Sequence, residues 1–269
     1  MTTHHPIHLC QPDNKKSCGA CCGLYNWKDH SRPALESILK QRTELFFSLG
    51  ESQDLDEYKR RCQGRKSNGK LFETVFNCEF LGFVDSDHKK VGCLLHPVVN
   101  KGNDLRDLGF YGAKTCSEHF CPSYSCLKTT EQKAIIESIY DWYLYGLLIT
   151  DIDLVREFFR HIENTMGDSI KEVKLKKPGI VNALTDFFML KQDWKFKTSE
   201  NMLGKYYFSE AEYNIVRIEY KKMWGIQPSR FDRILVSLES DINSKDDLFE
   251  AETIIEGKIK RFIEAYEAG

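Results

Sequence analysis

The chain has 269 residues, a formal net charge of −2, 41% hydrophobic and 29% charged residues, the make-up of a soluble globular protein with core material for one large or two modest domains. A near-neutral balance argues against a general nucleic-acid binder. No apolar run approaches the roughly eighteen residues of a membrane span, and Met1–Pro6 lacks a secretory leader's basic and apolar regions, so a cytoplasmic protein without nucleic-acid or membrane partners is expected.

All ten cysteines lie between Cys10 and Cys126, and residues 127–269 have none. In a reducing compartment such a distribution points to metal ligation over disulfides. Adjacent residues such as Cys21 and Cys22 are in any case poorly placed to bond to each other.

Residues 1–30 read as irregular, broken by Pro6, Pro12, Gly19 and Gly23. His4, His5 and His8 fall here and are expected to be solvated. From Pro33 the pattern is helical, with Leu35, Ile38, Leu39, Leu45, Phe46 and Leu49 on one face and Gly50 as the stop. A polar, helix-compatible stretch, Ser52–Arg61, leads to Cys62. Gly64–Lys70 has the front of a phosphate-binding loop. Leu71 replaces the magnesium-binding hydroxyl, though, and no buried strand precedes it, so a polar turn is expected.

Leu71–Val75 and Phe80–Val84 read as short strands. The second forms a hairpin with Val91–Cys93 across the turn Asp85–His88, placing Cys78 and Cys93 at its roots as in a metal knuckle. Residues 97–115, with Gly102, Gly109 and Gly112, read as a loop. Cys116, Cys121 and Cys126 follow at five-residue intervals, with Pro122 holding the backbone out of regular helix.

Past Cys126 the chain turns helical. Thr129 and Gln132 predict a cap for a helix carrying Ile135, Ile139, Trp142, Tyr143 and Leu147. Further helices are expected over Asp151–Met166, from Pro178 through Leu190, from the capping box at Ser209–Glu212 to Gly225, over Pro228–Leu238 and over Asp246–Tyr266. Trp142, Trp194, Trp224 and Tyr206–Tyr207 are expected to be core. His161 is a lone helical histidine without a ligand role, and no carboxylate pair stands out as acid and base. The expected fold is mainly α: a cysteine-cluster metal-binding domain with short strands over 1–126, then a helical domain over 127–269.

Clustered thiolates repel one another unless a cation neutralises them or they oxidise. Zinc and iron–sulfur clusters both commonly take four. Cys18 and Cys21 have the spacing that lets one turn deliver two sulfurs, and Cys22 points elsewhere, toward bridging or a second site. With Cys78, Cys93, Cys116, Cys121 and Cys126 they form the candidate ligand set. Cys10, His96 and His119 rank below it, and Cys10 and Cys62, without close partners, read as small buried hydrophobes.

Cys18-Gly19-Ala20-Cys21-Cys22, then Asn77-Cys78-Glu79-Phe80-Leu81, then Gly92-Cys93-Leu94-Leu95-His96-Pro97 and the later cysteines resemble the YkgJ-like cysteine-cluster family. That zinc- or iron-chelating domain is marked by a C-x-x-C-x-x-C-C run, a C-x-F-L segment and a cysteine shortly before a proline. The resemblance ends at Cys126 and implies a metal centre. The family's first cysteine falls at Lys15, so either Cys10 substitutes through a longer loop or a ligand is lost. His96-Pro97 stands where many members have an Arg-Pro pair a few residues further on. The wider family includes flagellin lysine methylases that look like iron–sulfur proteins, a parallel by analogy only.

Three functions follow as expectations. The first is a metal-binding protein carrying an iron–sulfur cluster (4Fe-4S) or zinc, whose helical half binds a protein partner or small-molecule substrate. The second is an iron–sulfur-dependent enzyme of group transfer, such as protein methylation, or of redox chemistry. The third is a structural zinc module. The thiol count favours more than one four-sulfur site, and neither a glycine-rich cofactor loop nor a nucleophile elbow is present.

Overall fold

A computed structural model describes residues 7–49, 54–64, 69–199 and 215–268. Gly50, the first residues of Ser52–Arg61, most of the Gly64–Lys70 turn, Ser209–Glu212 and Tyr206–Tyr207 therefore fall outside the described residues, as do His4 and His5. The protein is mainly α, and the described strands form one two-stranded antiparallel sheet. No described helix is long and apolar enough to cross a membrane.

The chain forms two compact units, Met1–Tyr124 with Asp141–Gly146, and Ser125–Tyr140 with Leu147–Gly269. In the first, helix α1 (Arg32–Ser48) has Pro33 in its first turn and buries Leu35, Leu39, Leu45 and Phe46. Helix α2 (Leu55–Gly64) follows. Strands β1 (Leu81–Phe83) and β2 (Val91–Cys93) make the expected hairpin, with Leu81 opposite Cys93 and Phe83 opposite Val91. Leu45, Phe46, Tyr58, Phe80, Leu94 and Leu95 form its core, with Cys62, Cys78 and Cys93 packed against the edge.

Thr43 on α1 accepts from the Phe83 amide at 2.8 Å and donates to Leu39 O at 2.9 Å. So close an approach needs a glycine next to Phe83, because a Cβ on Gly82 would lie 2.7 Å from Thr43 Oγ1 and 2.9 Å from Leu94.

Leu71–Val75 is not a strand. Asn26 takes up its polar groups instead: Asn26 Oδ1 accepts from the Phe72 amide at 2.9 Å and Nδ2 lies 3.0 Å from Phe72 O and from Val75 O. A side chain that satisfies the backbone locally holds a turn where apolar pattern alone suggests a ladder. The expected loop over 97–115 runs into helix α3 (Gly112–Glu118), which carries Cys116. Pro122 immediately precedes a single helical turn, α4 (Ser123–Cys126), where its missing amide costs nothing.

The expected helix from Thr129 through Leu147 is two helices, α5 (Thr129–Ser138) and α6 (Trp142–Ile149). Ile139 is extended, and Asp141 Oδ1 accepts from the Tyr143 and Leu144 amides, each at 3.0 Å, starting α6 afresh. The cap on α5 also differs: the Lys128 amide donates to Glu131 at 2.7 Å. The first turns of α6 belong to the cysteine-rich unit because the Tyr25 hydroxyl donates to Tyr143 O at 2.8 Å and Trp142 packs edge-on to Phe83. The sequence boundary after Cys126 and this division thus differ by residues 125–126 and by the returning segment 141–146.

The second unit packs α5 with α7 (Ile152–Met166), α8 (Pro178–Phe188), α11 (Asp232–Ser237) and α12 (Lys245–Ala268). Two short helices, α9 (Leu190–Asp193) and α10 (Tyr220–Trp224), complete it. Phe158 stacks on Phe187 at 3.9 Å between centroids and meets Phe262 edge-on at 5.6 Å. Trp194 is core, donating to Ser240 Oγ at 2.8 Å, while Trp224 is only half-buried. The helix expected to end at Gly225 begins at Tyr220, since Ile215, Val216 and Ile218 are β-branched and not helical. That expected from Pro228 begins at Asp232, Ser229 closing a turn first through the Phe231 amide.

Candidate metal centre

The cysteines are delivered by short, backbone-braced turns. The Cys18 amide donates to Cys10 O at 2.8 Å, so the two residues run side by side. The Cys18 sulfur accepts from the Ala20 amide at 3.5 Å. Ala20–Cys22 then makes one 3-10 turn, closed by Gly23 at φ +79°, where a Cβ would lie 2.3 Å from Phe76 O. Only glycine fits both that angle and that contact. The Cys78 amide donates to Cys22 O at 2.9 Å, and Ser17 Oγ donates to Val91 O at 2.8 Å, joining this turn to the hairpin that carries Cys93.

The Ala20 amide bonds to the Cys18 sulfur, and the Phe80, Leu95 and Ser123 amides, each two residues past a cysteine, lie near enough to Cys78, Cys93 and Cys121 to act on them. Each such amide favours the thiolate.

Eight thiols interact in two groups. Cys21 hydrogen-bonds with Cys121 and feels Cys18 and Cys10, while Cys10 feels Cys121. Cys22 feels Cys78, Cys93 and Cys116, and Cys93 feels Cys116. Cys18 also acts weakly on Cys22, so the groups are neighbours. The first group is Cys10, Cys18, Cys21 and Cys121, and the second is Cys22, Cys78, Cys93 and Cys116.

Burial pushes the thiols of Cys22, Cys93 and Cys10 upward and that of Cys78 up to about 12, with neighbouring thiols adding to the rise. Cys21 and Cys121 act as one pair: their shared hydrogen bond draws Cys121 down and holds Cys21 up. As the side chains stand, no three His, Cys, Asp or Glu groups among the described residues are close enough to share one metal ion.

The remaining candidates divide differently. Cys126 belongs to the second unit and is exposed, 3.8 Å from Ser125 Oγ. Cys62 stays with the α1–α2 core beside Tyr58. His96 accepts from the Val98 amide at 3.2 Å and lies near Arg106 and Asp104. His119 is exposed, near enough to Cys121 to favour its thiolate. Lys15, at the position of the resembled family's first cysteine, is exposed, whereas Cys10 stands with Cys18, Cys21 and Cys121.

Several surrounding groups have no local signal in the sequence. Tyr124 accepts from the Leu9 amide at 2.8 Å with its hydroxyl 4.0 Å from the Cys10 sulfur, and Tyr145 donates to Leu9 O at 2.8 Å. Lys16, 1% exposed, pairs with Asp13 at 2.6 Å beneath the Tyr145 ring. Arg42 donates to Cys78 O at 2.9 Å, and Arg106, paired with Asp104 at 2.7 Å, acts on Cys93 and Cys116.

No protein-family model, curated protein or solved structure matches this chain. The resemblance to the YkgJ-like family rests on the quoted residues alone.

Proposed function

We propose that the cysteine-rich unit is a metal-binding domain with two sulfur-ligated centres, one on Cys10, Cys18, Cys21 and Cys121 and the other on Cys22, Cys78, Cys93 and Cys116. The observation that carries the reading is the grouping of eight thiols into two neighbouring fours, with the Ala20 amide bonded to Cys18 and amides near Cys78, Cys93 and Cys121. Uncharged clusters of small hydrophobes have no need of such amides, and thiolates do.

The donor set fits a soft-ligand group: zinc or an iron–sulfur cluster, as the family resemblance also implies. Each set of four thiolates would hold one zinc ion or one iron–sulfur cluster. Of these, a 4Fe-4S cluster is proposed first and zinc second. When bound, a cluster supplies one-electron redox chemistry or a Lewis-acidic iron, and zinc supplies a structural staple.

The chain's own residues do the rest. The Ala20, Phe80, Leu95 and Ser123 amides stabilise thiolate charge, and the turns at Gly23 and the hairpin hold the sulfurs in place. The helical unit is assigned to binding a protein partner or small-molecule substrate, in the cytoplasm. An iron–sulfur-dependent enzyme of group transfer or redox type remains the alternative.

Anaerobic purification with metal and acid-labile sulfide analysis and a visible spectrum tests this. Iron with sulfide and a broad visible absorption supports clusters. Zinc without colour supports structural sites. Cysteines oxidised to disulfides with neither metal would refute the proposal.

A further inference from the structure

We infer that Arg42 is the fixed counter-charge of the Cys22–Cys78–Cys93–Cys116 centre, a positioning residue that makes the two centres electrostatically unequal. The inference rests on the metal-binding reading above and holds for either metal. Four thiolates on a core of two positive charges leave two negative charges in excess, and partly buried sulfurs are poorly screened by water.

An arginine never dissociates, so its charge is permanent. Arg42 is brought in by α1 from a part of the chain without cysteines. Its Nη1 donates to Cys78 O at 2.9 Å and its guanidinium lies over the Trp27 ring at 5.6 Å, which fixes both ends of the group. It favours the Cys78 thiolate against the burial and the Glu79 charge that oppose it. Arg106 acts on Cys93 and Cys116 in the same sense, its own charge partly offset by Asp104.

The other group is furnished differently. Its sulfur neighbours are the neutral hydroxyls of Tyr124 beside Cys10 and Ser123 beside Cys121, with the exposed His119 near Cys121, a charge only when protonated, and the buried cation in that region, Lys16, is already paired with Asp13. Dipoles stabilise a thiolate less than a full charge does. The two centres therefore hold their metals with different dependence on a single arginine.

The test uses the full chain loaded anaerobically with the metal that elemental analysis identifies, and follows release to excess pyridylazoresorcinol. Cys10→Ser and Cys22→Ser each leave one centre to observe. Arg42→Gln is expected to speed release roughly tenfold or more in the Cys10→Ser chain, within the span that outer ligand partners command. It should leave the Cys22→Ser chain unchanged, and Arg42→Lys should restore most of the retention.

Should either background fail to fold, Arg42→Gln in the otherwise intact chain must speed release of half of the metal and spare the other half. Equal acceleration of both centres, no acceleration, or a lysine no better than glutamine would overturn the counter-charge role while leaving the metal sites standing. A chain that takes up no metal overturns the metal-binding reading and the role of Arg42 together.

Discussion

The helical unit and the cysteine-rich unit are held together by different means. The first buries a continuous aromatic and aliphatic core: Phe158, Phe187, Phe188 and Phe262 are fully buried and meet one another across α7, α8 and α12. Its buried Lys191 is paired, Nζ lying 2.7 Å from Asp151, and Ser237 Oγ donates to Asp151 at 3.0 Å. The second has a smaller core around α1, α2 and the hairpin, and its thiols sit mostly half-buried or exposed on short turns braced by backbone bonds. Where apolar area is scarce, a metal can supply the missing stabilisation, and where it is plentiful none is needed.

Metal removal should therefore break the comparison most sharply. Anaerobic chelation is expected to destabilise the cysteine-rich unit by about 10 kcal/mol per centre or abolish its folding, leaving the α7–α8–α12 helices protected in hydrogen exchange. Equal loss of protection in both units would refute the division of labour.

Phe158→Ala should show the converse. A loss of about 3–5 kcal/mol in the helical unit is expected, read by denaturant unfolding, with metal content unchanged.

Lys191→Ala leaves Asp151 buried without its cation and should cost the same unit about 3–5 kcal/mol. Its pH dependence has a definite sign. Burial lowers the Lys191 pKa, but Asp151 and Glu239 outweigh it and the net shift is upward. The stabilisation is thus complete below the ordinary lysine value of about 10.4 and is lost as pH rises through the higher folded value. Unfolding of the parent chain above about pH 10.5 should become easier in a way that Lys191→Ala no longer shows.

The smallest contrast lies within the cysteine-rich unit. Cys10→Ser should release one centre's metal, measured by elemental analysis. Cys62→Ser should retain both and cost about 1 kcal/mol, the effect of an ordinary edge-of-core change. Equal metal loss in the two would sink the assignment of Cys10.

The fold was largely legible where one period dominates. The helices over Asp151–Met166 and from Pro178, the terminal helix and the hairpin between Phe80 and Cys93 follow from local pattern, because each buries one continuous face. Errors fell where a side chain, distant or local, replaced a backbone partner. Asn26 turned Leu71–Val75 from a strand into a turn, and Asp141 restarted a helix that periodicity carried on through Leu147. The Asn26 signal cannot be seen from the segment it governs, whereas Asp141 is a local capping signal that helical periodicity masked.

The sequence by itself determined that thiols are confined to one part of the chain, that Cys18, Cys21 and Cys22 share a turn, and that the rest is helical. Those are properties of composition and short spacing. Only the tertiary structure decided which sulfurs share a neighbourhood. Cys10, without a nearby partner in sequence, stands with Cys18, Cys21 and Cys121, and Cys126 belongs to the other unit. Arg42, Tyr124 and Tyr145 entered the site in the same way, across separations of 36, 114 and 136 residues. A thiolate's neighbours act through distance in space, and a folded chain sets that distance with little regard to order along the backbone.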